Sequence, residues 1–245
     1  MAFQLVFRRY ELKYLLTAEQ KQVILEEIKP YMQLDKYGRT TIRNVYFDTD
    51  SYRLIRRSIE KPMYKEKLRI RSYGVATPDA DVFVELKKKY EGVVYKRRIA
   101  LPESEAMAWV SGRMKSPVDT QISSEIDYFK SYYGGISPAV FLSYEREAFY
   151  EKSGGDFRLT FDENILVRQD DLSLCSEVYG TPVLPEGKVL MEIKCPGAIP
   201  LWMTEILSRH KIYKTSFSKY GRAYCDIILP SIINEQKKEI ISYVR

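Results

Sequence analysis

Basic side chains occupy alternate positions in the stretch KEKLRIRSY, which covers residues 65–73. The four cations are Lys65, Lys67, Arg69 and Arg71, and aliphatic residues stand between the last three. Successive side chains of a strand point to opposite faces, so an extended chain puts the cations on one face. Guanidinium and ammonium groups bind phosphate oxygens, Arg by paired hydrogen bonds and Lys as a point charge. Phosphate binding is therefore the candidate chemistry of this stretch.

The same alternation recurs in most of the other strand candidates. The intervening positions are largely apolar, which predicts strands with one charged and one apolar face. The polar positions are Glu11 and Lys13; Lys67, Arg69 and Arg71; Glu85 and Lys87; Tyr144 and Arg146; Arg158, Thr160 and Asp162; and Glu192 and Lys194.

Two arrangements explain charged faces on six strands. An antiparallel sheet with one face on a core and one in water gives the same alternation. A sheet that closes on itself, apolar side outward under helices, instead lines a lumen with the charges. We favour the lumen because its polar positions are mainly Arg and Lys rather than the mixture typical of a solvated face. Such a lumen needs an anion of high charge density to offset its cations. Its carboxylates would repel a phosphate unless a divalent cation, Mg²⁺ or Mn²⁺, lay between them.

The order of helix and strand patterns predicts one α+β domain over residues 1–245. Thr17 and Gln20 have capping-box spacing, so a helix is expected over residues 17–29. Glu91-Gly92 predicts a hairpin. Further helices are expected at about 102–111 and 124–133, the second capped by Ser123 or Ser124, and within 197–211 and 216–229. The tail at 233–245 is either a short docking helix or a frayed end.

Composition is ordinary for a soluble globular protein, and the modest net charge favours an anionic partner without identifying one. Hydrophobic residues make up 45% of the 245, enough for a sizeable core, and the formal net charge is +6. The three cysteines, Cys175, Cys195 and Cys225, have no CxxC spacing and predict neither a disulfide framework nor a zinc site. No apolar run reaches the roughly 20 residues of a membrane span, and no signal peptide is evident. We therefore expect a cytoplasmic protein.

Several common mechanisms have no basis in the sequence. It contains no P-loop, dinucleotide fingerprint, HExxH or GxSxG motif, and its one histidine, His210, is better explained as structural. Phosphoryl transfer needs no nucleophilic side chain, because positioning and charge neutralisation carry most of the catalysis. Nucleic acid is an alternative polyanion, but no nucleic-acid recognition motif accompanies the basic residues. We therefore expect that the protein does not bind nucleic acid.

Ordered blocks along the chain resemble the VTC domain of the vacuolar transporter chaperone polyphosphate polymerases. That domain belongs to the triphosphate tunnel metalloenzyme superfamily, which includes the CYTH triphosphatases. The resemblance runs from about Arg8 to Leu229. The blocks are RRYELKY, VYFD, KLRIRSYG, VFVELKKK, VVYKRRIAL, FLSYEREAF, FRLTFDENI, LMEIKCP and TSFSKYGR.

The resemblance implies an eight-stranded antiparallel β-barrel tunnel, flanked by helices, that binds ATP, polyphosphate and a divalent metal and transfers the γ-phosphate to a growing chain. It implies catalytic roles for Arg69, Arg71, Lys87, Arg146 and Lys219. It implies substrate-binding roles for Lys13, Lys96, Tyr144, Arg158, Lys194 and Ser218. Glu192 matches the metal-binding glutamate, and Glu11 is a possible second ligand.

One departure from the CYTH pattern bears on the reaction. The hydrolases begin with ExExK, whereas this chain reads Arg9-x-Glu11-x-Lys13, which favours the polymerase branch. A tunnel triphosphatase and a non-catalytic polyphosphate-binding module stay as alternatives. Lys65 and Lys67 are expected either inside the lumen or at its mouth.

Overall fold

Eight long strands dominate the computed structural model, which describes residues 10–91 and 93–243. They are β1 (Tyr10–Thr17), β2 (Met32–Asp48), β3 (Tyr64–Tyr73), β4 (Asp81–Tyr90), β5 (Val93–Pro102), β6 (Ser137–Glu151), β7 (Arg158–Arg168) and β9 (Lys188–Cys195), with two-residue strands β8 (Thr181–Pro182) and β10 (Lys214–Thr215). The helices are α1 (Ala18–Ile28), α2 (Arg53–Ile59), α3 (Glu103–Val110), α4 (Gln121–Tyr133), α5 (Leu201–Arg209), α6 (Lys219–Ala223) and α7 (Leu229–Tyr243). The α+β class is confirmed.

One antiparallel sheet joins all ten strands in the order β10-β1-β9-β7-β6-β2-β3-β4-β5, with β8 paired to β7. The sheet is curved enough to bring two distant strands together. Lys87 of β4 contacts Glu11 of β1, with Nζ 3.0 Å from Oε2. We call the concave face, which carries these two side chains, the inner face, and the space that it surrounds the tunnel.

The sheet is not a closed barrel, so that part of the prediction is wrong. In residues 10–91 and 93–243 no ladder joins β5 to the opposite end of the sheet. The free edge of β1 is instead occupied by β10, through the pairs Lys13–Thr215 and Tyr14–Lys214. A side-chain ion pair, Lys87–Glu11, therefore connects β4 to β1 in place of backbone hydrogen bonds.

Apolar residues on the outer face of the sheet pack beneath helices. Leu68 and Ile70 of β3 are fully buried in one core with Trp109 of α3 and Phe129 of α4. A second core places β7 and β9 against α1 and α5; its buried members include Leu159, Phe161, Met191, Ile193, Ile24 and Met203. The alternation in the sequence thus separates an apolar outer face from a charged inner one.

A third core lies on the inner face and fills part of the tunnel. Tyr46, Leu142 and Leu190 of the sheet pack there against Tyr220 of α6 and Ile228 of the π-helical turn that follows it. The C-terminal helical segment therefore lies inside the curl of the sheet. The remaining part of the inner face carries the charged residues.

The N-cap of helix α1 is the predicted residue, whereas the N-cap of α4 is a different one. Thr17 Oγ1 accepts a hydrogen bond from the Gln20 amide, and the Gln20 side chain accepts one from Thr17 N, a complete capping box. The cap of α4 is Thr120 rather than Ser123 or Ser124. Ser123 is the third residue of the helix and the reciprocal partner of that cap, because its side chain accepts from Thr120 N.

The last predicted helix is interrupted by a π-helical turn and continues beyond residue 229, where it was expected to end. It begins after Ser218, changes to a π-helical turn at Tyr224–Ile228 and continues as α7 to Tyr243. The described part of the tail is thus helical. The hairpin predicted at Glu91-Gly92 connects β4 and β5, although Gly92 lies outside the described residues. Over the described ranges no helix has both the length and the apolar character to cross a bilayer.

Candidate functional site

Inner-face cations of β3 and β5 converge on one carboxylate of β4, Glu85, which is only 1% exposed. Arg69 donates to its Oε2 from Nε at 2.9 Å and from Nη2 at 2.8 Å. Arg98 donates to Oε1 at 2.8 and 2.5 Å, and Lys96 Nζ lies 2.6 Å from the same oxygen. Burial raises the pKa of Glu85, but the cations, Arg69 and Arg71 foremost, outweigh it and hold the pKa well below its ordinary value. We call this group the Glu85 cluster.

Asp162 of β7 and Glu192 of β9 form a second buried acidic centre. Arg146 of β6 grips Asp162 with two hydrogen bonds of 2.6 Å. Lys219 of α6 lies 2.5 Å from Asp162 and 3.0 Å from Glu192. Burial opposes ionisation of Glu192, but the charge of Lys219 and of its other cations holds its pKa well below the ordinary value. Two lysines complete this Asp162–Glu192 cluster, each 3.5 Å from Glu192: Lys13 and Lys194.

Glu11 of β1 is the remaining carboxylate of the site. It accepts from Lys87 Nζ at 3.0 and 3.1 Å. Burial raises the pKa of Glu11, but the charges of Lys87 and Lys194 prevail and lower it to about 2. The negative charge of Glu192 acts in the opposite direction, so the two carboxylates interact electrostatically. Glu11 is therefore ionised at neutral pH.

Neutral hydrogen-bond partners fix the two arginines of β3. Arg69 Nη1 donates to the Tyr46 hydroxyl at 2.9 Å. Arg71 donates from Nε to Asn44 Oδ1 at 3.0 Å and from Nη2 to the Tyr144 hydroxyl at 3.1 Å. These contacts leave N–H groups of Arg71 for a ligand, because a guanidinium has five donors. Both side chains are thus held in place before any anion binds.

The start of α6 is anchored to strands on two sides of the tunnel. Ser218 caps the helix by accepting from Gly221 N at 3.1 Å, and it also accepts from Lys67 Nζ of β3 at 3.1 Å. Lys13 of β1 donates to the carbonyl of Phe217 at 2.7 Å. These bonds orient α6 so that Lys219, the next residue, enters the Asp162–Glu192 cluster.

The structure places twelve of the thirteen predicted site residues in this network. They are Lys13, Lys87, Lys96, Lys194, Lys219, Arg69, Arg71, Arg146, Tyr144, Ser218, Glu11 and Glu192. Arg158 is set apart. It is exposed and lies opposite Lys194 in the β7–β9 register, and its side chain makes no ion pair or hydrogen bond with the described residues. Arg9 lies outside the described residues.

Four further residues belong to the network without having been given a role. Glu85 and Asp162 are on the alternating polar face, but the sequence does not reveal that each is shared by several cations. Arg98 stands two positions after Lys96 on β5, so the same alternation could have identified it. Lys67 was left open between lumen and mouth, and it lies inside, in contact with Ser218.

Oxygen ligands for a metal ion are present but do not enclose one. Among the described residues no group of three Asp, Glu, His or Cys side chains is placed to hold a metal ion. Glu192 and Glu11 lie on the paired strands β9 and β1 and face the tunnel. The Thr160 hydroxyl, opposite Glu192 on β7, is buried and has no hydrogen-bond partner in the part of the chain that the structure describes. The protein thus offers part of a coordination shell made of hard oxygen atoms.

The chain is similar to one known protein family over most of its length. The family model named VTC domain matches residues 8–228. The chain belongs to the VTC domain family. The match covers all eight long strands and the charged clusters of this VTC domain, so the resemblance stated from the sequence blocks is confirmed.

Solved structures with low sequence identity share the fold of this VTC domain. A candidate adenylate cyclase from Bacillus halodurans is 16% identical, covers 88% of this chain and 96% of its own, and gives a TM-score of 0.56. A candidate adenylyl cyclase from Hippeastrum, described as having a dominant triphosphatase activity, is 18% identical, covers 87% and 93%, and gives 0.51. No curated protein is similar enough to count as a match. The VTC domain thus has the CYTH-like fold of these two structures.

Buried lysines of the network, Lys67 and Lys96 among them, should make the stability of the protein depend on pH. Burial, and then neighbouring cations, lower the pKa of Lys67 to about 7; burial also lowers that of Lys96 to about 7, although Glu85 opposes the shift. The ordinary value is 10.5, so between about 7 and 10 the unfolded chain binds more protons than the folded one. We expect the melting temperature in phosphate-free buffer to rise over this range.

The control is a Lys67→Gln/Lys96→Gln double variant, which removes both groups. Its melting temperature should rise less between about pH 7 and about pH 9 than that of the wild type. Above that range the raised pKa values of Tyr64 and Tyr133 reverse the trend, because the unfolded chain then loses protons first. A wild-type melting temperature that is flat or falls from pH 7 to 9 would contradict this account.

Proposed function

We propose that this VTC domain is a polyphosphate polymerase that transfers the γ-phosphate of ATP to a growing polyphosphate chain in the tunnel. One observation carries the proposal: ten cations of the network face only four carboxylates. The cations are Lys13, Lys67, Lys87, Lys96, Lys194, Lys219, Arg69, Arg71, Arg98 and Arg146, and the carboxylates are Glu11, Glu85, Asp162 and Glu192. A triphosphate or polyphosphate supplies the missing negative charge.

The two charged clusters suit a reaction between two phosphates. Tyr144 lies between them: its hydroxyl accepts from Arg71, and its ring lies 4.6 Å from Lys219 Nζ and 5.0 Å from the guanidinium of Arg146. We place the transferred phosphoryl group here. Arg71 and Lys219 then approach its oxygens from opposite sides, and the donor and acceptor chains extend toward the remaining cations.

The reaction needs no nucleophilic side chain. A terminal oxygen of the polyphosphate chain attacks the γ-phosphorus of ATP in line, a new P–O bond forms, and the bond from the γ-phosphorus to the β,γ-bridging oxygen breaks. ADP leaves with that oxygen and its electron pair. Arg71, Arg146 and Lys219 neutralise the charge on the transferred group and hold it in line, which is the main source of rate acceleration in such reactions.

Glu192 and Glu11 would hold Mn²⁺ or Mg²⁺ together with substrate oxygens. Hard cations of this kind are commonly bound by one or two carboxylates plus phosphate oxygens, which fits a partial shell of ionised carboxylates. When bound, the ion neutralises phosphate charge. Thr160, buried opposite Glu192, has a hydroxyl without a partner among the described residues, which can bind a phosphate oxygen or a water.

A tunnel triphosphatase is the second candidate function. It is favoured by the structural similarity to the Hippeastrum protein, whose described activity is of that kind. The same cations would bind the triphosphate, and water rather than a polyphosphate chain would attack. A binding module without turnover is the third, since the charge excess alone accounts for affinity.

The reaction products separate these functions. We expect the purified protein, incubated with ATP and Mn²⁺, to form ADP and long phosphate chains. One phosphate should enter the chains for each ADP released, as measured by gel electrophoresis and ³¹P NMR. Orthophosphate as the sole phosphate product would instead establish a triphosphatase. Binding of ATP without any product would leave the binding module.

Replacing Glu192 tests the assigned site. Glu192→Gln keeps the shape of the side chain but removes the charge that organises Lys219, Arg146, Lys13 and Lys194. We expect turnover to fall by about 100-fold or more, the size typical for removing one electrostatic element of an active site. Initial rates of ADP release measure it, with circular dichroism to check folding.

The matched control is Glu125→Gln on α4. Glu125 also pairs with two cations, Lys88 and Arg97, but on the outer side of the sheet. Its replacement should change turnover by less than about 2-fold. Equal activity of Glu192→Gln and the wild type would show that the reaction does not take place at the Asp162–Glu192 cluster.

A further inference from the structure

Lys67 is a tunnel lysine that no carboxylate of the described residues neutralises. Its Nζ donates to Ser218 Oγ at 3.1 Å and lies 5.9 Å from the ring centre of Tyr220. Within the described ranges it has no Asp or Glu within ion-pair distance. Its neighbours in the network differ in this respect, since Lys87 pairs with Glu11 and Lys13 with Glu192.

The charges that act most strongly on Lys67 come from three strands and are positive. Lys65 and Arg69 flank it on β3, Lys87 stands opposite it on β4, and Lys13 faces it from β1. Burial and these charges together lower the pKa of Lys67 to about 7. The uncompensated positive potential of the tunnel is thus concentrated near this amine, which is where a phosphate oxygen gains most.

We propose that Lys67 is a further substrate-binding residue, whose amine turns from Ser218 to a phosphate oxygen of the bound chain. The inference rests on the proposed function, because it requires a triphosphate or polyphosphate in the tunnel. The phosphate supplies the missing negative partner, so the amine takes up a proton from solvent if it was neutral. Ser218, released from Lys67, keeps its bond to Gly221 N and continues to cap α6.

The competing explanation is that Lys67 only positions α6 through Ser218. Lys67→Gln separates the two, because an amide still donates to the serine hydroxyl but carries no charge. The matched control is Lys65→Gln, on the same strand and face two residues earlier, whose amine donates to the Ser58 carbonyl instead. Lys67→Arg is the second variant, since it keeps the charge and stays protonated at any working pH.

The experiment is isothermal titration of inorganic tripolyphosphate into each protein at about pH 8 in metal-free buffer, where no turnover occurs. We expect Lys67→Gln to raise the Kd by about 10-fold or more, the usual size for a lost charge-assisted contact. Lys65→Gln should change the Kd by less than about 2-fold, and Lys67→Arg should keep the wild-type value within about 3-fold.

Proton uptake supplies a readout that a merely positioning role would not change. Titrations in two buffers of different ionisation enthalpy give the number of protons bound with the ligand. Both Lys67→Gln and Lys67→Arg should take up fewer protons than the wild type at this pH. Lys67→Arg keeps the positive charge, so it tests the inference even if Lys67→Gln fails to fold.

Three results would overturn the inference. Wild-type Kd in Lys67→Gln is one, and a Kd raised by about 10-fold or more in Lys67→Arg is another, because each shows that the charge at position 67 does not bind the phosphate while leaving the proposed function intact. The third is a wild type that does not bind tripolyphosphate at all, which would overturn the proposed function as well.

Discussion

The concentration of positive charge on the inner face of one sheet is the constraint on which the rest of the structure depends. Cations that are taken out of water need anionic partners, and burial without them is costly. The chain supplies a few shared carboxylates: Glu85 serves Arg69, Arg98 and Lys96, and Glu192 serves cations of three strands and one helix. Sharing holds the cations in place yet leaves them short of negative charge, which is the condition for binding a polyanion.

Two-sided strands make this arrangement possible. Leu68 and Ile70 pack under α3 and α4, so the arginines between and after them must face the tunnel. The C-terminal helical segment closes part of the tunnel with apolar contacts and brings Lys219 in. The same short segment thus contributes packing through Tyr220 and charge through Lys219, and Lys67 and Lys13 secure it.

Much of the fold and of the site could be predicted from the sequence because it depends on local periodicity. The alternation around Arg69 and the capping box at Thr17 need no knowledge of distant residues. Features set by long-range pairing could not be predicted: β10 occupies the edge that barrel closure needs, and Glu85 gathers cations from two strands. The contact between Lys67 and Ser218 exists only because α6 returns to the tunnel.

A crystal structure of the protein with tripolyphosphate tests the central claim most directly. The account expects phosphate groups on the inner face, with oxygens within hydrogen-bond distance of Arg71 and Arg146 of the sheet and Lys219 of α6. Ion pairs of the Asp162–Glu192 cluster that face the ligand should be replaced by contacts to phosphate oxygens. Tripolyphosphate bound only on the outer surface, with the inner-face ion pairs unchanged, would contradict it.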